Sequence, residues 1–240
     1  MFTICWYLVS RWKDNRFRFM RLTLRNNKQY RLIAKSNHLW KNEQVHILVA
    51  NTIRVLDTRY DLNRKITKEP GVEEIIKQMF GRLANSFEKL SNIQNKKILD
   101  IACGSNTSKA PASLFIDTPF GRKTVGRSSK GYTAQFEPWF CRMLFELGAN
   151  PVGIDLGDLE SEIFVHYRVD LGKLGALDFL PDRSFDAVQD SRLFGSPEFT
   201  AQFPNQADRL KIAQEIKQQE QRLLIANGIV IHSDADALLR

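Results

Sequence analysis

Cysteine is scarce in this sequence, and its few copies are not paired. The three cysteines are far apart, at Cys5, Cys103 and Cys141, and none forms a CxxC motif. Structural zinc sites and disulfide frameworks both need cysteines at short, regular spacing. We therefore expect no bound metal and no disulfide framework, and the unpaired thiols favour a reduced, cytoplasmic setting.

A long apolar run is also missing. The apolar stretch at the amino end, Phe2–Val9, is much shorter than the about 20 residues that cross a bilayer. It lacks the leading basic region and the small-residue cleavage site of a signal peptide. We expect no membrane span and no secretory leader.

Acidic side chains are almost absent from the amino end. The chain has 35 basic and 27 acidic residues. Residues 1–35 contain nine of the basic residues and one of the acidic residues, so residues 36–240 contain 26 of each. The net charge of +8 therefore belongs to an amino-terminal arm. Basic residues 11–35 can bind nucleic acid by neutralising phosphates, or they can form a solvated hairpin with no partner.

Hydrophobic periodicity divides the chain near residue 95. Residues 1–94 are predicted to form a basic hairpin and a helical cap, with strands Phe17–Leu24 and Tyr30–Ala34 and helices His46–Leu56 and Val72–Leu90. In residues 95–240, strands and helices alternate, which predicts an α/β sandwich with a mainly parallel sheet. The predicted strands are Lys97–Ile101, Val152–Asp155, Phe164–Asp170, Phe185–Gln189 and Ile229–His232, and the predicted helices are Phe136–Leu147 and Asp208–Leu224.

The segment from Lys97 to Asn106 carries the strongest functional signal. A buried strand ends with Asp100 and Ile101, and a turn of small residues, 102–105, follows at once. In an open parallel sheet, ligands bind beyond the carboxyl ends of the strands, and small residues let the backbone approach them. A carboxylate at this point suits a cationic ligand. A nicotinamide dinucleotide is disfavoured, because no GxGxxG turn follows a strand.

This segment resembles motif I of the class I S-adenosylmethionine-dependent methyltransferases, in which an acid and an apolar residue precede a GxGxG turn. Ala102 stands in the place of the first glycine, Gly104 in the second and Asn106 in the third. The resemblance implies a Rossmann-like αβα sandwich that binds S-adenosylmethionine.

Further motifs of that family follow in the same order within residues 96–232. Asp155 resembles the acid that holds the cofactor's ribose, and Asp170 resembles the acid that binds the adenine amino group, with the Leu171 amide reaching a ring nitrogen. Residues 180–188 and 215–231 resemble the approaches to the family's fourth and fifth strands. The resemblance thus implies cofactor-binding roles for Asp100, Ala102, Gly104, Asp155, Leu156, Asp170, Leu171 and Gln189.

The implied reaction is methyl transfer to an acceptor that the sequence does not identify. The sulfonium is already activated, so positioning is the main requirement and a general base is optional. Asp190, after the fourth strand, is the predicted base, although a loop acid or a helix cap explains it equally well. The alternative function is a non-catalytic or truncated S-adenosylmethionine-binding domain with a regulatory or RNA-binding role, which Ala102 and Asn106 favour.

Two features differ from the usual pattern of that family. Residues 105–134 separate the glycine turn from its helix, and loops this long are usually lids or disordered. We expect either a mobile basic lid that selects an anionic acceptor or a plain insertion. Only eight residues follow His232, so we expect the sheet to lack the last two of the family's seven strands.

Overall fold

The computed structural model describes residues 43–62, 71–87, 90–105, 114–118, 121–125, 134–190, 193–194 and 197–239. The predicted basic hairpin and Asn106 lie outside these ranges. The helices are α1 Glu43–Tyr60, α2 Val72–Ser86, α3 Trp139–Glu146, α4 Pro197–Gln202, α5 Gln206–Leu223 and α6 Asp234–Leu238. The strands are β1 Lys97–Ile101, β2 Leu114–Thr118, β3 Gly121–Val125, β4 Asn150–Asp155, β5 Val165–Arg168, β6 Phe185–Asp190 and β7 Leu224–Ser233.

Five of these strands form one parallel sheet in the order β5-β4-β1-β6-β7. From β1 the chain moves outward to β4 and β5, and it then returns to the other side of β1 for β6 and β7. This reversal places a topological switch point between β1 and β6, and open α/β sheets generally bind ligands at such a point, beyond the carboxyl ends of the strands. The predicted Rossmann-like α/β sandwich is confirmed.

Helices cover both faces of the sheet because alternate residues of its buried strands point to opposite sides. Ile98 packs in one core with buried residues of α1, α2 and α3. Leu99, the next residue, packs in a second core with buried residues of α4, α5 and α6. Helices α1 and α2, which we assigned to an amino-terminal cap, therefore share a core with the sheet.

The start of β7 differs from the sequence-based expectation, whereas α5 ends at Leu223, within one residue of the predicted Leu224. The strand was expected to begin at Ile229 but begins at Leu224, so Asn227 and Gly228 lie within β7. The register of β7 against β6 is irregular there. A Cβ on Gly228 would lie 2.8 Å from a methyl carbon of Leu224, so the backbone is tightly packed at this point. The Asn-Gly pair therefore lies at an irregularity within the strand and not before it.

The long 105–134 segment contains regular structure. Strands β2 and β3 pair in antiparallel register, with Asp117 opposite Arg122. Both strands contact α4, the helix that follows β6. The side chains of this segment lie outside the description, so its role as a basic lid stays a prediction.

Within the described ranges, no helix combines the length and apolarity that crossing a bilayer requires.

Candidate functional site

The turn after β1 has the backbone geometry that glycine-rich turns supply. Ala102 has φ +57° and Gly104 has φ +93°, and both values lie in the left-handed region. For an alanine this conformation costs about 1–2 kcal/mol. A Cβ at Gly104 would lie 2.2 Å from the carbonyl oxygen of Phe136, so only glycine fits. Such strain concentrates at functional sites.

Asp155 connects this turn to the end of β4. Its Oδ2 accepts the Gly104 N–H at 3.0 Å, and its Oδ1 accepts the Gly157 N–H at 2.8 Å. A carboxylate carries two lone pairs on each oxygen, so this residue type suits two adjacent hydroxyls. The half-buried carboxylate fits a ribose at the sheet's carboxyl edge.

Asp170 follows the neighbouring strand, β5. The Val169 N–H donates to the Asp155 carbonyl at 2.9 Å, which places the two acids at adjacent strand ends. The Asp170 side chain is 27% exposed and accepts the Gly172 N–H. Its neighbour Leu171 is buried in the core. Asp155 and Asp170 are therefore the two partly exposed predicted acids at this edge.

Leu156 begins the loop after β4. Its side chain is exposed, and its carbonyl accepts the Arg168 Nε–H at 2.9 Å. The residue thus lies at the same edge as Asp155, held by its backbone.

Asp100 and Gln189 face the interior instead. Asp100 is 1% exposed, and its carboxylate accepts from Gln189 Nε2 at 3.3 Å and from the Cys141 thiol at 3.7 Å. Gln189 is likewise buried. Both side chains therefore lie in the interior, and the structure does not bring them to the exposed edge.

Asp190, the predicted base, is fully buried at the end of β6. Its Oδ2 accepts the Ala235 N–H at 2.8 Å, in the first turn of α6, and its Oδ1 has no hydrogen-bond partner among the described residues. Burial raises the pKa of Asp190 well above its ordinary value, and the nearby acids Asp234 and Glu220 add to this effect. Its geometry is that of an anchor for α6.

Sequence reasoning missed residues that shape this site. Gly157 donates to Asp155, and a Cβ there would lie 2.2 Å from the Ser105 hydroxyl. Arg142 lies fully buried on α3. A charged residue inside the otherwise apolar stretch 139–145 was the signal that could have found Arg142.

Among the described residues, no group of three or more histidine, cysteine or acidic side chains is arranged to hold a metal ion. The chain matches no family model, no curated protein and no solved structure.

Proposed function

We propose that this chain binds S-adenosylmethionine at the carboxyl edge of β1, β4 and β5 and transfers its methyl group to an acceptor. The observation that carries this proposal is the hydrogen bond from the Gly104 N–H to the Asp155 carboxylate. This hydrogen bond joins the turn after β1, where Gly104 has a left-handed backbone, to an acid at the end of the adjacent parallel strand β4. Both lie beside the switch point. The motif order in the sequence supports the same function.

The residues at this edge have distinct roles in the proposal. Asp155 accepts from the ribose hydroxyls, and Asp170 accepts from the adenine amino group. The turn 102–105 brings backbone close to the ligand, since it carries only small side chains. When bound, the cofactor supplies an electrophilic methyl group on its sulfonium. The chain then needs mainly to hold the acceptor in line.

Titration calorimetry with S-adenosylmethionine and S-adenosylhomocysteine tests the binding step. We expect the wild-type chain to bind both, and Asp155→Asn to bind each roughly tenfold to hundredfold more weakly. That range is the contribution of hydrogen bonds to a charged group. The asparagine is nearly isosteric but cannot accept at both of its terminal atoms.

Asp158→Asn is the matched control. This aspartate lies three residues further along the same loop and caps the Glu160 N–H at 2.9 Å. We expect its variant to bind like the wild type. A folded wild-type chain that gives no heat with either nucleoside contradicts the proposal, and so does unchanged binding in Asp155→Asn.

Binding without catalysis is the second candidate function. The burial of Asp100, Gln189 and Asp190 favours it, because no described acid at the end of β1 or β6 is exposed as a base. Transfer of a tritiated methyl group to RNA, protein or small-molecule acceptors separates the two functions. Transfer identifies an enzyme, whereas tight binding with no transfer to any class identifies a binding domain.

A further inference from the structure

One guanidinium holds two acids in the interior beside the proposed cofactor site. Arg142 donates to Glu137 at 2.5 Å and, with two nitrogens, to Glu162 at 2.6 and 3.1 Å. All three side chains are at most 1% exposed. The guanidinium carbon lies 3.9 Å from the ring centre of Tyr60 and 4.4 Å from that of Trp139. We call Glu137, Arg142 and Glu162 the Arg142 cluster.

Stability alone is a weak explanation for the Arg142 cluster. Burying ions costs several kcal/mol each, and apolar replacements of buried ion triads often preserve or increase stability. Contact with aromatic rings offsets part of that cost for the arginine. The role of the Arg142 cluster therefore depends on which parts of the backbone Glu137 and Glu162 hold in place.

Glu137 belongs to the segment that lies directly on the glycine turn. The carbonyl oxygen of Phe136 accepts the Ser105 N–H at 3.0 Å. The same oxygen and the Glu137 carbonyl carbon would be 2.2 and 3.0 Å from a Cβ at Gly104. Any movement of Glu137 therefore moves the surface against which Gly104 packs.

Glu162 belongs to the loop that begins at Asp155. Its N–H donates to the Leu159 carbonyl at 2.9 Å, which forms a turn within the loop. Leu159 packs in a small core with Cys103, a residue of the glycine turn. Arg142 thus fixes the loop after β4 through Glu162. Through Glu137 it fixes the segment against which the glycine turn packs.

We propose that Arg142 is a positioning residue for the ribose end of the cofactor site. By holding Glu137 and Glu162 it keeps Gly104 and Asp155 in register, and it thereby sets the preference for ribose over 2′-deoxyribose. This inference rests on the proposed binding of S-adenosylmethionine.

The test compares the affinities of S-adenosylhomocysteine and its 2′-deoxy analogue. We expect the wild-type chain to prefer the ribose ligand roughly tenfold to hundredfold, as expected for one hydrogen bond to a charged group. Arg142→Lys keeps the charge but cannot form the two-nitrogen contact with Glu162. We expect its preference to fall below about threefold, because Asp155 no longer has a fixed position.

Two further variants separate positioning from simple loss of stability. Glu162→Gln removes the charge and one of the two acceptor atoms on the loop side of the Arg142 cluster, so it should also lose the ribose preference. Asp186→Asn is the control, because Asp186 accepts from Lys96 Nζ at 2.7 Å and the Lys97 N–H at 2.9 Å at the opposite, amino edge of the sheet. It should lower the melting temperature and leave the ribose preference unchanged.

The outcomes separate the failure of this inference from the failure of the proposed function. A folded wild-type chain that binds neither ligand contradicts the proposed function and this inference together. A wild-type chain that binds both ligands equally overturns the inference alone, as does a preference that persists in Arg142→Lys or Glu162→Gln. If circular dichroism shows that neither cluster variant folds, the cluster is a folding element and the positioning role is also overturned.

Discussion

The thiols of Cys103 and Cys141 lie behind the glycine turn, next to Gly153 and Asp100. A Cβ at Gly153 would be 2.9 Å from one sulfur and 3.3 Å from the other. Burial raises the pKa of Cys141 to about 11, and the Asp100 carboxylate adds to the effect. Burial likewise raises the pKa of Cys103 well above its ordinary value. Because the thiolate is the reactive form, both side chains are expected to be inert.

We therefore predict that Cys103 and Cys141 resist alkylation in the folded chain. With iodoacetamide at about pH 8, near the ordinary pKa of a thiol, modification should proceed no faster than unfolding. Mass spectrometry of the peptides containing each residue measures this rate, and the same reaction in urea is the control. Rapid labelling of Cys141 in the folded chain would mean that this interior is open to solvent.

The sequence could locate Asp100 but could not describe its surroundings. Its position near the end of a buried strand follows from the apolar pattern of residues 97–101. Its partners, Gln189 and Cys141, are 89 and 41 residues away along the chain. Contacts across such distances depend on tertiary packing, so a pattern in one segment does not reveal them. Asp155 was placed by its resemblance to a family motif, and its contact with Gly104, 51 residues away, was likewise not visible in the local pattern.

Helix α6 is held at the end of the sheet by charged and polar groups. Ser233 caps the helix by accepting the Asp236 N–H, and Lys217 of α5 contacts Asp236 at 3.0 Å. Buried Asp190 accepts the Ala235 N–H. The raised pKa of Asp190 means that the folded chain binds its proton more tightly than the unfolded chain does. Its contribution to stability is therefore greatest at low pH and falls as pH rises above 3.8.

We predict that Asp190→Asn becomes progressively more stable than the wild type as pH rises. The asparagine still accepts the Ala235 N–H but cannot ionise. The difference in free energy of unfolding should grow by up to about 1.4 kcal/mol per pH unit between the unfolded and folded pKa values. Urea unfolding monitored by circular dichroism at several pH values measures it.

Asp190→Ala is the control, because it removes the charge and the acceptor together. It should be less stable than Asp190→Asn by about 1–3 kcal/mol, the cost of an unsatisfied buried N–H. If the free energies of unfolding of the wild type and Asp190→Asn changed equally with pH, this account of α6 would be contradicted.

The elements that the sequence predicted best are those with a strong local pattern. The strand Lys97–Ile101 was predicted with its observed bounds. The start of β7 at Leu224 was missed, because the Asn-Gly pair serves a turn or a strand irregularity equally well. Pairing with β6 draws Leu224 into the sheet, and the local pattern does not reveal that pairing.

At the scale of the whole molecule, alternating strands and helices predicted the fold class but not the strand order. The order β5-β4-β1-β6-β7 is what brings the turn after β1 next to Asp155. It also places the Lys96–Asp186 ion pair at the opposite, amino edge. Strand order depends on contacts between distant segments, so the periodicity of each segment did not reveal it.

The position of S-adenosylhomocysteine in a crystal structure of its complex with this chain tests the central claim most directly. We predict that the ribose hydroxyls lie about 2.6–3.2 Å from the Asp155 carboxylate, within hydrogen-bond reach, with the adenine beside Asp170. Ligand density at the amino edge near Asp186, or crystals that stay empty at saturating ligand, would contradict the account.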